Sequence, residues 1–124
     1  MLILLPPSAG KTTPDDGPAL DLDSLAGSAH NGLREQIIGE LQEISSRADA
    51  LTILKVGTSI EPEIRAQIDF YDQPCAPAYE VYTGVLFAAA GFGELDEQSK
   101  KRADESVQIY SGVFGYTRPS DLIP

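Results

Sequence analysis

Cysteine and histidine each occur once in the 124 residues, and tryptophan is absent. A lone Cys75 excludes an intrachain disulfide framework and a cysteine-based zinc site, both of which need several thiolates. A lone His30, set among small and polar residues, gives no basis for a Ser-His-Asp or Cys-His arrangement. Long apolar runs are missing too, and none approaches the ~20 residues of a membrane span. The opening Met1–Leu5 is too short for a secretory signal, lacks a basic start and runs into Pro6-Pro7. Basic side chains are scarce, 9 against 19 acidic ones, for a net charge of −10. The deficit is even: residues 1–62 carry 4 basic and 9 acidic groups and residues 63–124 carry 5 and 10, so each half is −5. Lys100-Lys101-Arg102 is the one close basic group, and Glu94, Asp96, Glu97, Asp104 and Glu105 flank it. A duplex-binding surface works by neutralising phosphates, so none is advertised. Asp15, Asp16, Asp21 and Asp23 lack calcium-loop spacing, and no metal site is predicted. What these absences leave is a soluble cytoplasmic protein without an identified cofactor.

What is present has ordinary globular proportions, 42% apolar and 23% charged, at a length suited to one domain. Leu2–Leu5 reads as a buried strand stopped by prolines. Ser8–Leu33 reads as a long Gly-, Pro- and Asp-rich loop pinned to the body by Leu20, Leu22 and Leu25. Leu33, Ile37, Ile38, Leu41, Ile44 and Ala48 recur at helical spacing, with Asn31 as the cap. A second helix is expected over Asp49–Val56, stopped by a left-handed Gly57. Thr58-Ser59-Ile60-Glu61 matches a capping box, opening a helix that buries Ile60, Ile64, Ile68 and Tyr71. Ala78–Tyr82 suits a short strand and Val85–Ala90 an apolar helix closed by Gly91. Asp96 suits the cap of a polar helix to about Glu105, and Val107–Tyr110 a second buried strand. Strands separated by helices predict a mixed α/β layer architecture.

Four segments carry the candidate chemistry. Ser8-Ala9-Gly10-Lys11-Thr12 ends like a phosphate loop, but the glycine required five positions before Gly10 is Leu5, and Pro6-Pro7 remove two amide donors. What survives is a cation and hydroxyls at Ser8, Lys11 and Thr12, at the carboxyl end of a strand where α/β proteins often hold ligands. Tyr82-Thr83-Gly84 and Ser111-Gly112 place hydroxyls beside glycines that allow close approach. Arg118-Pro119-Ser120-Asp121 adds a guanidinium that either grips an anion or pairs with a carboxylate such as Asp121. Cys75 has no basic neighbour in sequence to activate it and reads as a small, semi-buried side chain.

Taken in order, four strings resemble the YaaA family of peroxide-stress proteins (the DUF328/UPF0246 group). They are Met1–Thr12, Val81-Tyr82-Thr83-Gly84, Ser111–Gly115 and Arg118–Pro124. The opening is similar to the actinobacterial-type branch, Pro-Pro-Ser-Glu-Gly-Lys-Thr, with Ala9 standing where that branch has glutamate. Members continue after Ile-Pro with Tyr-Arg-Leu-x-Met-Gly and a second half, so the resemblance implies that residues 1–124 are a single incomplete domain, the amino-terminal half. It further implies a bacterial cytoplasmic protein that limits peroxide damage by lowering unincorporated intracellular iron. On this reading Ser8, Lys11, Thr12, Tyr82, Thr83, Gly84, Ser111, Arg118 and Asp121 converge on a pocket for an anionic or nucleotide-like ligand. The family's association with DNA through a helix-hairpin-helix-like element points instead to Lys55, Gly57 and Arg65, a reading that the even acidic charge disfavours. An inactive truncated paralogue is the third alternative.

Overall fold

The computed structural model describes all 124 residues. It is a mixed α/β fold, with a small sheet backed by helices and irregular connections. Strands β1 (Ile3–Leu5) and β3 (Val107–Ser111) pair in parallel, with Ile3 opposite Val107 and Leu5 opposite Ile109. Strand β4 (Gly115–Thr117) returns antiparallel to β3, giving the order β1-β3-β4. Two-residue strands β2 (Ala76–Pro77) and β5 (Leu122–Ile123) form a second, antiparallel pair. Alternation decides the faces: Val107 and Ile109 are buried, while Tyr110 points outward and packs on Tyr116. No helix is long and apolar enough to cross a membrane.

Helix α1 (Asn31–Ser46) lies against the segment Gln67–Asp72, a run of tight turns kinked at Asp69. Its inward stripe is Arg34, Ile38, Leu41 and Ser45, one face at helical spacing. Asn31 does not cap it. It is the first helical residue, and its side chain links Asp23 to Arg34. Helix α2 (Ala50–Leu54) stops earlier than its sequence suggests, at Lys55, which takes the left-handed conformation (φ 55°) expected of Gly57; Gly57 is extended. The capping box does not form either. Thr58–Ile60 is a 3-10 turn, and α3 (Glu61–Ala66) begins with Pro62 in its first turn and no side-chain cap. Of the expected face only Ile64 is deeply buried, because the kink at Asp69 turns Phe70 inward instead of Ile68.

Two other expectations resolve differently. Ala78–Val81 is a helical turn, α4, rather than a strand: Ala78 and Tyr79 donate to the Asp121 and Pro119 carbonyls, and Tyr82 donates back to Ala78. Strand β1 is not buried; it is an edge strand, and Leu2 is 59% and Leu4 56% exposed. Strands β4 and β5 carry too few residues for a periodicity to be read from sequence. Helices α5 (Val85–Ala90, closed by left-handed Gly91) and α6 (Glu97–Ser106) match their predicted limits. The Asp96 carboxylate accepts from Ser99 N at 2.7 Å, as a cap should. The long loop carries 3-10 turns at Leu22–Ser24 and Ser28–His30, and Leu20, Leu22 and Leu25 are buried in the core as expected.

Candidate functional site

The Ser8–Thr12 loop and the Tyr82–Gly84 turn come together through their backbones. Thr83 N donates to Gly10 O (3.0 Å), Thr12 N donates to Val81 O (2.8 Å), and Lys11 and Tyr82 form an antiparallel bridge. Ser8, buried, closes the junction from one side. Its hydroxyl donates to Gly10 O (2.6 Å) and accepts from Gly84 N (2.9 Å). A Cβ on Gly84 would lie 2.7 Å from Ser8 Oγ, so only glycine allows this approach. Ser8, Thr83 and Gly84 thus position the loops.

Beside the junction lies a cavity of about 230 Å³. Lys11, Thr12, Tyr82 and Ser111 line it on the polar side, and Leu41, Phe70 and Phe114 form part of its apolar wall. Gln67 and Gln73 add amides, Glu63 one carboxylate, and Ile123-Pro124 close one end. Lys11 is exposed and pairs with no carboxylate; the chain's three ion pairs are Arg47–Asp49, Arg65–Glu61 and Lys100–Glu97. At the inner end burial pushes the Tyr82 phenol above its ordinary pKa, while the Ser111 and Thr117 hydroxyls beside it pull the other way. Ser111 Oγ accepts from Val113 N and Phe114 N, and the buried Thr117 Oγ1 makes no hydrogen bond of ordinary length.

Arg118 and Asp121 lie away from this cavity. Asp121 Oδ2 accepts from Arg118 N (2.8 Å) and from Ala26 N (3.0 Å), so its carboxylate holds the backbone of the turn and the far loop together. The Arg118 guanidinium pairs with no carboxylate and is exposed. Of the four segments expected to converge, the Ser8–Thr12 loop, the Tyr82–Gly84 turn and Ser111 at the end of β3 therefore come together, and the Arg118–Asp121 turn does not line the cavity. Arg34, which no motif signalled, ties the long loop and helix α1 to the β3–β4 region. It is 1% exposed and donates to Ala26 O (2.6 Å), Phe114 O (2.8 Å), Tyr116 O (3.0 Å) and Asn31 Oδ1 (3.0 Å), with no carboxylate partner. Its place four residues before Ile38 on the inward face of α1 was the one available signal.

The hairpin Lys55–Gly57 does join two short helices, with Lys55 exposed at the turn. Arg65 faces away from that role: its guanidinium donates to Ser45 O (2.9 Å), Arg47 O (3.2 Å) and Glu61 Oε1 (3.3 Å), closing the end of α1. No group of three or more His, Cys, Asp or Glu side chains is placed to hold a metal ion. Cys75 is buried, and desolvation raises its thiol pKa to about 11. A thiolate-dependent reaction should therefore be almost absent in the folded state. Cys75 is expected to react with a disulfide reagent, or to form sulfenic acid with hydrogen peroxide, only as fast as the chain opens. Labelling at the rate of a free thiol without denaturant would refute this.

Comparison with known proteins places the chain. The family model for peroxide stress protein YaaA matches residues 1–124. A UPF0246 protein of Corynebacterium efficiens is 38% identical over 124 residues, covering 100% of this chain and 49% of the relative. One from Streptomyces coelicolor is 35% identical over 126 residues, covering 100% and 48%, and one from Shewanella sediminis is 28% identical over 134 residues, covering 99% and 48%. The chain spans about half the length of these curated relatives. With the family model matching from the first residue to the last, the chain belongs to the YaaA family of peroxide stress proteins.

Proposed function

We propose that this chain is the ligand-holding part of a peroxide-stress protein that helps limit unincorporated intracellular iron, and that it acts on a small anionic or nucleotide-like ligand. The observation that carries the reading is Lys11, an unpaired cation at a cavity with hydroxyls on one side and aromatic rings on the other. In a chain of net charge −10 a lysine with no carboxylate partner is available to an anion. The Thr12, Tyr82 and Ser111 hydroxyls can donate to the same ligand, and Phe70 and Phe114 offer an apolar surface to a planar ring. On the other side of Thr12-Thr13, Asp15, Asp16 and Glu80 line a separate hollow, and Glu63 lies on the cavity itself, so the surface favourable to an anion is the immediate neighbourhood of Lys11. That geometry suits a compact ligand with one anionic group better than an extended polyphosphate.

Titration of the 124-residue chain with AMP, and separately with inorganic phosphate, tests the reading. Lys11→Ala is expected to weaken AMP binding by about tenfold or more, with an unchanged melting temperature because the side chain is exposed. Equal affinity in Lys11→Ala would overturn the role of Lys11. A folded wild-type chain that binds neither probe is the result expected of an inactive paralogue. A nucleic-acid role for the hairpin has less support. Arg65 is engaged at the end of α1 and Arg47 with Asp49, leaving Lys55 to face phosphate in a strongly acidic chain.

A further inference from the structure

Two apolar elements are uncovered, and they meet at the Ser8–Gly84 junction. Strand β1 has one edge paired with β3 and the other open, and Leu4 within it and Leu2 just before it lie in solvent. No charge or bulge interrupts Ile3–Leu5, and the protection this edge has is its shortness, three residues ending at Pro6-Pro7. Parallel strands, moreover, are normally covered on both faces. Helix α5, Val-Leu-Phe-Ala-Ala-Ala, is apolar all round, a pattern of helices that are fully buried. Only Phe87 is buried; Val85 is 88% and Leu86 44% exposed. The hydrogen bond from Gly84 N to Ser8 Oγ ties the residue before α5 to the chain three residues beyond β1, so the two elements are linked at one end. Uncovered apolar surface of this kind marks an interaction site.

We propose that the open edge of β1, with Leu2 and Leu4, and the exposed side of α5, with Val85 and Leu86, form the docking surface for the carboxyl-terminal half of a YaaA-family protein. The relatives supply the occupant. This chain accounts for 48–49% of their length, so each carries about as many residues again, and those residues need an apolar surface to fold against. A strand from that half extends the sheet at β1, and its apolar side chains cover Leu4 and Val85. A second copy of this chain fits less well. In the relatives the additional half is part of the same polypeptide, and its high effective concentration favours it over any intermolecular partner.

Sedimentation velocity tests this with the 124-residue chain mixed with the half of the Streptomyces coelicolor relative that the chain does not match. The expected result is a 1:1 complex in which amides of Leu2–Leu5 and Val85–Ala90 exchange at least about tenfold more slowly. Leu4→Lys and Val85→Lys should each abolish the complex while leaving the melting temperature of the chain alone unchanged, since both positions are exposed. A complex indifferent to both substitutions overturns the surface. A homodimer through β1 that excludes the added half overturns the occupant, as does no association with a folded half. Should that half fail to fold separately, it is joined after Pro124 in one polypeptide. Leu4→Lys must then lower the melting temperature of the joined protein and not of the 124-residue chain; equal effects overturn the proposal. None of these outcomes depends on the ligand at Lys11.

Discussion

Replacing Arg34 with alanine is expected to cost about 3 kcal/mol or more, a large share of the stability of this protein. The guanidinium is the sole side chain bonded to the carbonyls of Ala26, Phe114 and Tyr116, which come from the long loop and the β3–β4 connection. Phe114 O is buried and costs about 1–3 kcal/mol without a donor. The part-buried Ala26 O and Tyr116 O add less each, and the vacated volume brings the total to roughly 3 kcal/mol or more. Small domains have only about 5–15 kcal/mol in total. Arg34→Lys should recover little, because an ammonium cannot reproduce the planar fork that reaches three carbonyls at once. Urea unfolding followed by far-UV circular dichroism reads the effect directly. A loss below about 1 kcal/mol would show that water replaces the guanidinium without penalty. Arg102→Ala, at an exposed position on α6, is the control and should stay within about 0.5 kcal/mol.

The second large effect is expected at Gly17. Its φ is +136°, a region that side-chain-bearing residues rarely adopt, and an added Cβ would lie 2.1 Å from the Cys75 carbonyl oxygen. The close approach exists because the loop runs along the segment Tyr71–Cys75: Cys75 N donates to Pro18 O (2.9 Å) and Leu20 N to Tyr71 O (3.2 Å). Gly17→Ala must either strain the backbone or break that seam, at a cost of about 2–4 kcal/mol. The same variant should expose Cys75, so its thiol becomes reactive at denaturant concentrations where the parent chain is inert. Unchanged stability together with an unreactive thiol would show that the loop moves aside freely.

Both residues escaped the sequence reading for the same reason. Arg34 looks like a solvated charge on an amphipathic helix, and Gly17 looks like one glycine in a polar loop. Their partners lie far along the chain, at Phe114 and Tyr116 for one and at Cys75 for the other. Periodicity reports only which side of an element turns inward; it says nothing of what waits there. Local chemistry failed where two local solutions competed. Lys55 took the left-handed position although Gly57 was nearby, and Pro62 opened α3 where a capping box was available. Ala78–Val81 closed into a helical turn because the carbonyls of Pro119 and Asp121 receive its first amides.

Where an element depends on its own residues, sequence and structure agree. Alternation in Val107–Ser111, the glycine stop after α5 and the Asp96 cap of α6 are set by neighbours within a few positions. The motif order likewise sufficed for family membership. Tertiary structure decided the rest. It brought Lys11 to Tyr82 across about 70 residues, set Asp121 to holding backbone amides away from the cavity, and left β1 and α5 uncovered. These outcomes depend on which surfaces remain once the helices and sheet have packed, and no local spacing carries that information.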